Sequence, residues 1–200
     1  MKKFKSITST YLPIREENID TDQIVPARFL RLTTRKGFGK YLFYDWRFDN
    51  SRKPKNNPYF HGSIGESNKK ILLAGNNFGC GSSREHAVWA ILDYGFQVVI
   101  SSSFGDIFYN NAFKNGLLLV TLKQSELNLL FKIIEKNPQG EITVDLVLQQ
   151  VIINKPKNIF TFPMDSFRKT CMLKGVDELG YILSFEKEIK EYEKSQLKYI

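Results

Sequence analysis

The stretch from Lys70 to Glu135 constrains the fold most, because short apolar runs alternate in it with helical patterns. The runs are K-I-L-L-A at Lys70–Ala74, Q-V-V-I-S at Gln97–Ser101 and L-L-L-V-T at Leu117–Thr121. Runs of this length that end in turn residues are typical of strands buried on both faces. Strands that alternate with helices predict parallel neighbours in one sheet.

Helical patterns occupy the intervals between the runs. The first extends from Ser83 to Tyr94 and ends at Gly95, whereas Phe104–Phe113 is helical or irregular. The third, Gln124–Glu135, has one apolar face. That face contains Leu127, Leu130, Phe131 and Ile134.

The segments before this stretch are more irregular. In Asn18–Ala27 the Asp and Thr residues predict a turn, and Gln23–Val25 predicts a short strand that Pro26 stops. Prolines, asparagines and glycines in Arg52–Gly65 predict an exposed loop that separates the N-terminal segment from the core.

The segments after it predict further strands and then helices. β-Branched residues in Glu141–Ile153 predict at least two strands, arranged as a hairpin. After Pro163 the chain becomes helical and charged, and Phe185–Leu197 has the pattern of an amphipathic helix. We therefore expect a main domain over residues 1–165 and a helical C-terminal appendage over residues 166–200.

Charge and cysteine content exclude several classes of function. The formal net charge is +8, but the lysines are scattered, which argues against nucleic acid binding as a primary role. Cys80 and Cys171 are the only cysteines and His61 and His86 the only histidines, too few for a disulfide framework or a metal centre held by this chain alone. No secretory signal or membrane-spanning run is expected, since Ser6–Pro13 is broken by polar residues, and a reducing cytoplasm fits best.

The segment that carries chemistry is Gly75–His86, G-N-N-F-G-C-G-S-S-R-E-H, between a predicted strand and a predicted helix. It lacks the Gly-Lys-Ser/Thr ending of a phosphate-binding P-loop, the third glycine of a dinucleotide fingerprint and the G-x-S-x-G of a hydrolase nucleophile elbow. A local interpretation is that Ser82 or Ser83 caps the helix and that Ser82 and Glu85 form a capping box. It leaves Arg84 unexplained, because the helix dipole disfavours a cation in the first turn. A guanidinium beside a helix N-terminus suits a carboxylate, so the substrate is expected to be an organic acid.

Several longer motifs resemble a known family over nearly the whole chain. The string F-G-C-G-S-S-R-E-H-A, followed by D-Y-G-F and S-F-G-D-I-F, resembles the swivelling domain of the aconitase superfamily. Within that superfamily, three further motifs are similar to bacterial small subunits of 3-isopropylmalate dehydratase. They are N-I-D-T-D-Q-I-V-P-A-R-F-L at Asn18–Leu30, G-F-G-K-Y-L-F-Y-D-W-R-F at Gly37–Phe48, and F-R-K-T-C-M-L-K-G at Phe167–Gly175.

The resemblance implies a fold, a reaction and partners. The fold is α/β, a three-layer β/β/α swivelling domain with a helical C-terminal tail over residues 166–200 that packs on the domain, on a partner large subunit, or on both. The reaction moves a hydroxyl between adjacent carbons by dehydration and rehydration, in leucine biosynthesis. No cofactor is expected on this chain, and a [4Fe-4S] cluster is expected on a partner large subunit, without which the chain should be inactive.

The resemblance also assigns site residues. Ser82 is implied to remove the C–H proton as an alkoxide, and Ser83 and Arg84 to contact substrate carboxylates. Asp22 is implied to lie near the active site, where it holds the arginine or relays a proton; a local Asx turn or cap is the alternative. Specificity falls on Phe29, Leu30, Arg31 and Leu32. Alternation in an extended loop would put Leu30 and Leu32 on one face and Arg31 on the other, so the leucines are expected to face the substrate or Arg31 to lie along the wall. Arg31 could instead serve a substrate carboxylate.

Other functions remain open at this point. A sister hydro-lyase subunit, of homoaconitase, citraconate hydratase or dimethylmaleate hydratase, differs only in substrate. A serine hydrolase would use Ser82 with His86, and an RNA-binding module would use the positive charge. Cys80 is interpreted as a small buried residue and His86 as a structural histidine.

Overall fold

The computed structural model describes residues 1–31, 34–60 and 68–196. Its strands are β1 Ser6–Ser9, β2 Tyr11–Ile14, β3 Ile71–Ala74, β4 Val98–Ser101, β5 Leu118–Thr121, β6 Ile142–Asp145, β7 Gln150–Asn154 and β8 Lys157–Thr161. Its α-helices are α1 Thr21–Ile24, α2 Tyr44–Arg47, α3 Glu85–Tyr94, α4 Asp106–Asn115, α5 Gln124–Lys136, α6 Ser166–Lys174, α7 Glu178–Leu183 and α8 Glu186–Gln196. Short 3-10 helices cover Ala27–Phe29 and Phe38–Tyr41.

A parallel sheet forms the centre of the fold, with strand order β2-β3-β4-β5. All four residues of β3 and of β4 are buried, which explains their continuous apolar sequences. The predicted parallel strands and the helices between them are thus confirmed. Tyr11 pairs with Ile71 at the edge, so β2 joins the sheet although it lies far from β3 in sequence.

An antiparallel sheet forms a second layer, with order β1-β6-β7-β8. The predicted hairpin in Glu141–Ile153 is confirmed, since Ile142 lies opposite Ile153. Strand β8 was not predicted. It pairs with β7 through Val151 and Phe160 and completes the sheet.

Two apolar clusters on opposite faces of the parallel sheet give the domain three layers. Ile71 and Leu73 face a cluster shared with α5 and the antiparallel sheet. Leu72 and Ala74 face a cluster shared with α3, α4 and the N-terminal segment. This alternation is the period of a strand, and it confirms the predicted β/β/α fold with a helical C-terminal end.

Two predictions in the N-terminal segment were wrong. Gln23–Val25 is not a strand, because Asp20 caps α1 by accepting the Gln23 amide, and the Gln23 side chain accepts from the Asp20 amide. The segment is also not separated from the core, because Ile24, Phe38 and Phe43 are fully or almost fully buried against α3. Residues 52–56 are exposed as predicted, Phe60 is buried, and residues 61–67 lie outside the described part.

The C-terminal helices differ in burial. In α6 the side chains of Cys171 and Met172 are buried in the cluster of the antiparallel sheet. In α8, which confirms the predicted amphipathic helix, Ile189 and Tyr192 are largely exposed. The division at residues 165 and 166 stays a prediction. Within the described ranges, none of the helices has the length and apolar character needed to cross a membrane.

Candidate active site

The glycine-rich loop begins at the carboxyl end of β3 and leads into α3, as the sequence predicts. Ligand sites of open parallel sheets lie outside the carboxyl ends of the strands. Gly79 and Gly81 have positive φ angles of +73° and +84°. A Cβ on Gly79 would overlap the Phe108 ring, and a Cβ on Gly105 would overlap the Gly79 carbonyl oxygen. The loop is therefore packed tightly against the start of α4.

Residues 18–22 pair with this loop and bring two distant motifs together. The Gly79 amide donates to the Ile19 carbonyl at 2.7 Å, and the Thr21 amide donates to the Cys80 carbonyl at 3.0 Å. The Thr21 hydroxyl donates to the Ser82 carbonyl at 2.9 Å. These bonds fix the backbone on both sides of Gly81.

Asp22 and Arg84 form an ion pair across the two segments. Both guanidinium Nη atoms contact the carboxylate, and the Nη2 to Oδ2 distance is 2.6 Å. The Arg84 side chain is 12% exposed and that of Asp22 is 52% exposed. The hydrogen bond from Arg84 holds the pKa of Asp22 below its usual range, and Asp22 in turn raises the pKa of Arg84. Asp22 is therefore ionised at neutral pH and suited to orienting the arginine.

Asp22 also connects the arginine to the segment expected to set specificity. Its Oδ1 accepts a hydrogen bond from the Ala27 amide at 3.0 Å. The Asp22 carboxylate thus makes a local bond to the backbone and also holds Arg84, so a local role and a role near the active site do not exclude each other. The cap of α1 is Asp20, not Asp22.

The capping roles predicted for Ser82 and Ser83 were wrong. Helix α3 begins at Glu85, and its N-cap is Arg84, whose side chain makes no capping bond. Glu85 accepts instead from Asn115 at 2.8 Å and from Trp89 at 3.2 Å. Both serines are exposed and directly precede the residue that begins the N-terminus of α3, which no side chain of the described residues caps.

Cys80 and His86 contribute to packing. Cys80 is only half-buried, which differs from the buried residue expected, and its Sγ lies 3.4 Å from the Asn18 carbonyl oxygen. Burial raises the pKa of this thiol, so it is a poor nucleophile at neutral pH. The His86 ring packs on Phe38 and Trp89, with centroid distances of 5.4 and 4.5 Å. Ser82 precedes the helix, so the helical spacing of a Ser82–His86 dyad does not exist.

The segment after Pro26 is a 3-10 turn over Ala27–Phe29, and Leu30 has right-handed helical backbone angles, so the extended conformation expected of Phe29–Leu32 was wrong for Phe29 and Leu30. The Phe29 ring stacks on Tyr41 at 4.2 Å and forms part of a wall. Leu30 is half-buried and Arg31 is exposed. Leu32 lies outside the described residues.

Sequence reasoning missed a second ion pair beside this turn, in which both Nη atoms of Arg28 contact the Asp45 carboxylate. Apart from the place of Arg28 in the P-A-R motif, nothing in the neighbouring sequence predicts that it forms an ion pair. Asp45 becomes its partner only because α2 packs against α1.

The described residues do not fit an iron–sulfur cluster. They contain no group of three His, Cys, Asp or Glu residues placed to hold a metal ion. Cys171 is buried in the cluster of the antiparallel sheet, on the face of the parallel sheet opposite that against which α3 packs. His61 lies outside the described residues.

Comparisons with known proteins agree with the fold. Residues 1–125 match the aconitase C-terminal domain. The chain belongs to the aconitase C-terminal domain family.

Individual relatives within this family match almost the whole length of the chain. The chain is 46% identical over 200 residues to the 3-isopropylmalate dehydratase small subunit of Cytophaga hutchinsonii, covering 98% of this chain and 96% of that protein. It is 47% identical to that of Karelsulcia muelleri, covering 98% and 99%. A crystal structure of 3-isopropylmalate dehydratase from Methanocaldococcus jannaschii has a TM-score of 0.64 at 26% identity and covers 94% of this chain and 99% of that one. The chain belongs among the 3-isopropylmalate dehydratase small subunits.

The tight packing of Gly79 leads to a stability prediction. Gly79→Ala should lower the free energy of unfolding by about 2–5 kcal/mol, because a positive φ costs an L residue about 1–2 kcal/mol and overpacking against Phe108 about 1–3 kcal/mol more. Gly37→Ala is the matched control, since Gly37 has a φ of +80° but no atom within 4 Å of the added Cβ. The free energy of unfolding of Gly37→Ala should fall only by the cost of the positive φ, about 1–2 kcal/mol. Equal losses in urea unfolding of the two variants would contradict the packing argument.

Proposed function

We propose that this chain completes the active site of a hydro-lyase that interconverts 2-isopropylmalate and 3-isopropylmalate in leucine biosynthesis. The observation that carries the proposal is the Arg84–Asp22 pair beside two exposed serines at the start of α3. A fixed guanidinium, free helix N–H groups and hydroxyls together favour a hydroxy acid with carboxylate groups.

The roles of the residues follow from this arrangement. Arg84 binds one substrate carboxylate with its planar fork, and Ser83 donates to it. The Ser82 oxygen, as an alkoxide, takes the proton from the carbon next to the one that loses hydroxide, so that a double bond forms between the two carbons. Ser82 then returns this proton to the carbon that lost hydroxide, while hydroxide adds to the carbon that lost the proton. The helix N-terminus and Arg84 lower the cost of the negative oxygen.

The iron–sulfur cluster of this enzyme class is proposed to belong to the large subunit. The described part of this chain offers no ligand set for it, so no role is assigned to residues of this chain toward the cluster. A reducing cytoplasm suits the free thiols of Cys80 and Cys171.

Mixing experiments test the proposal. The purified chain should fold and show no dehydratase activity, and adding a reconstituted large subunit under anaerobic conditions should produce turnover of 3-isopropylmalate. Full activity in the isolated chain, or none in the mixture, would contradict the proposal. A fluorophosphonate probe should not label Ser82, because the described structure gives it no histidine partner.

Substrate choice is proposed to depend on Phe29, Leu30, Arg31 and Leu32. The isopropyl group offers three carbons to bury, worth roughly 2 kcal/mol at ~0.8 kcal/mol per carbon, or about thirtyfold in specificity. A sister substrate with a carboxylate at that end would be rejected by an apolar wall.

A competition assay of the assembled enzyme tests this role. It should prefer 3-isopropylmalate over homocitrate and citramalate, and Leu30→Ala with Leu32→Ala should reduce the preference. Preference for homocitrate would favour the homoaconitase alternative, with Arg31 as the carboxylate partner. An unchanged ratio in the double variant would exclude the segment.

A further inference from the structure

A large open groove lies beside the proposed active site, and of its lining only Phe29 has a role in the function proposed above. Its floor carries four aromatic rings, those of Phe29, Tyr41, Tyr44 and Phe48. Its rim carries four cations, those of Arg28, Lys40, Arg52 and Lys55. We call it the aromatic groove; its volume is about 960 Å³.

The floor of the aromatic groove is held by contacts between its rings. Phe29 stacks on Tyr41 at 4.2 Å and meets Tyr44 edge-on at 4.9 Å, and Tyr44 lies 4.9 Å from Phe48. The Arg28 guanidinium lies over Phe29 at 4.8 Å while it pairs with Asp45. Because these side chains are already ordered, a partner that binds to them causes little further loss of side-chain conformational entropy.

The rim has an excess of positive charge. Arg28 is neutralised by Asp45, and the Asp49 carboxylate accepts from the backbone amides of residues 51 and 53. Lys55 donates to the Asp45 backbone carbonyl rather than to a carboxylate. Four cations and two carboxylates line the groove, so its net charge is 4 − 2 = +2. Within the described ranges no carboxylate pairs with Lys40, Arg52 or Lys55.

The aromatic groove is continuous with the site. Arg28 and Asp45 also line the adjoining cavity of about 430 Å³, which reaches Asp22 and Ala27. Asp22 holds Arg84, so a protein that covers the exposed serines passes close to the groove. A stable interface buries about 800 Å² on each partner, far more than the serines alone provide.

The size and chemistry indicate the occupant. The volume lies at the upper end of the range for drug-sized ligands, about 300–1,000 Å³, and exceeds what a small hydroxy acid fills. Aromatic residues with a cationic rim suit an acidic peptide segment that also carries apolar side chains. We propose that the aromatic groove receives an acidic segment of the large subunit. This inference rests on the proposed function, since it assigns the surface on which that partner docks.

Charge reversal on the rim tests the docking proposal. In Lys40→Glu with Arg52→Glu, the dissociation constant for the reconstituted large subunit should rise roughly 10-fold or more at low ionic strength. The loss should shrink as salt is added, because exposed charges are screened. The control, Lys132→Glu with Lys157→Glu on exposed positions of α5 and β8, makes the same change in net charge and should leave the constant within about twofold, because both elements pack on the other face of the parallel sheet. Association is measured by anaerobic titration, and turnover at saturating large subunit should be unchanged in both variants.

Each outcome decides the proposal. Equal weakening by rim and control variants would mean that only net charge matters, and would overturn docking in the groove. A normal dissociation constant with a raised KM for 3-isopropylmalate would overturn it in favour of substrate capture. Failure of the unmodified chain to assemble would refute the proposed function instead, so the two failures are distinguishable.

Discussion

Ser82→Ala should lower kcat of the assembled enzyme roughly 10²–10⁴-fold, the usual contribution of a positioned acid or base. KM should change little, because the serine is proposed to act on the proton rather than on ground-state affinity. Thermal unfolding should also change little, because the exposed hydroxyl caps no helix in the described structure. Steady-state kinetics and a melting curve on the same preparation provide the measurements.

Ser166→Ala is the control, since Ser166 is exposed in the first turn of α6. It should leave kcat unchanged. If Ser82→Ala kept its activity and lost about 1 kcal/mol of stability, the serine would be acting as a cap, and the proposed proton transfer would be refuted.

Arg84→Lys should lower kcat/KM roughly 10- to 100-fold, mainly by raising KM. Hydrogen bonds to charged groups contribute about 1.5–3 kcal/mol, and 1.4 kcal/mol corresponds to tenfold. A lysine keeps the charge but cannot hold Asp22 and a substrate carboxylate with one planar group. The pKa of Asp22 should rise toward its ordinary value. NMR titration of the carboxyl carbon measures this rise independently of activity.

Arg15→Lys is the matched control, because Arg15 pairs with Glu135 on the surface at 50% and 60% side-chain exposure. It should leave kcat/KM within about twofold. Asp22→Asn combined with Arg84→Lys should cost less than the sum of the single changes, since both act on one ion pair. Strict additivity would show that the pair does not act as a unit.

Local patterns were sufficient to predict the central layer. Buried strands such as β3 have continuous apolar sequences, and Gly95 ends α3 with a positive φ of +120°, a conformation that favours glycine. The position of the loop between β3 and α3 follows from the same patterns. The cation at the start of the predicted helix indicated that Arg84 contacts a carboxylate, whereas only the resemblance supplied the role of Ser82, which no local pattern distinguishes.

Features that depend on distant pairing could not be predicted. The contact between Asp22 and Arg84 requires residues 18–21 to bond with the loop, some sixty positions away. The α1 helix was missed for a different reason: the Asp20 and Gln23 capping box was present, but the apolar run after it resembled a strand. The serine cap was wrong because the backbone stays non-helical through Arg84, with the Ser82 carbonyl bonded to the Thr21 hydroxyl, so the helix starts three residues later than Ser82.

The contact of Gly79 with Phe108 and Gly105 also couples the shape of the loop to the position of α4. The loop can keep its shape only while α4 is docked, because the ring and the backbone against which it packs belong to the start of that helix. Changes that loosen α4 should therefore disrupt the proposed catalytic surface while both sheets persist. Such partly opened molecules would be folded by most spectroscopic criteria yet unable to bind substrate, and hydrogen exchange of the loop amides would reveal them.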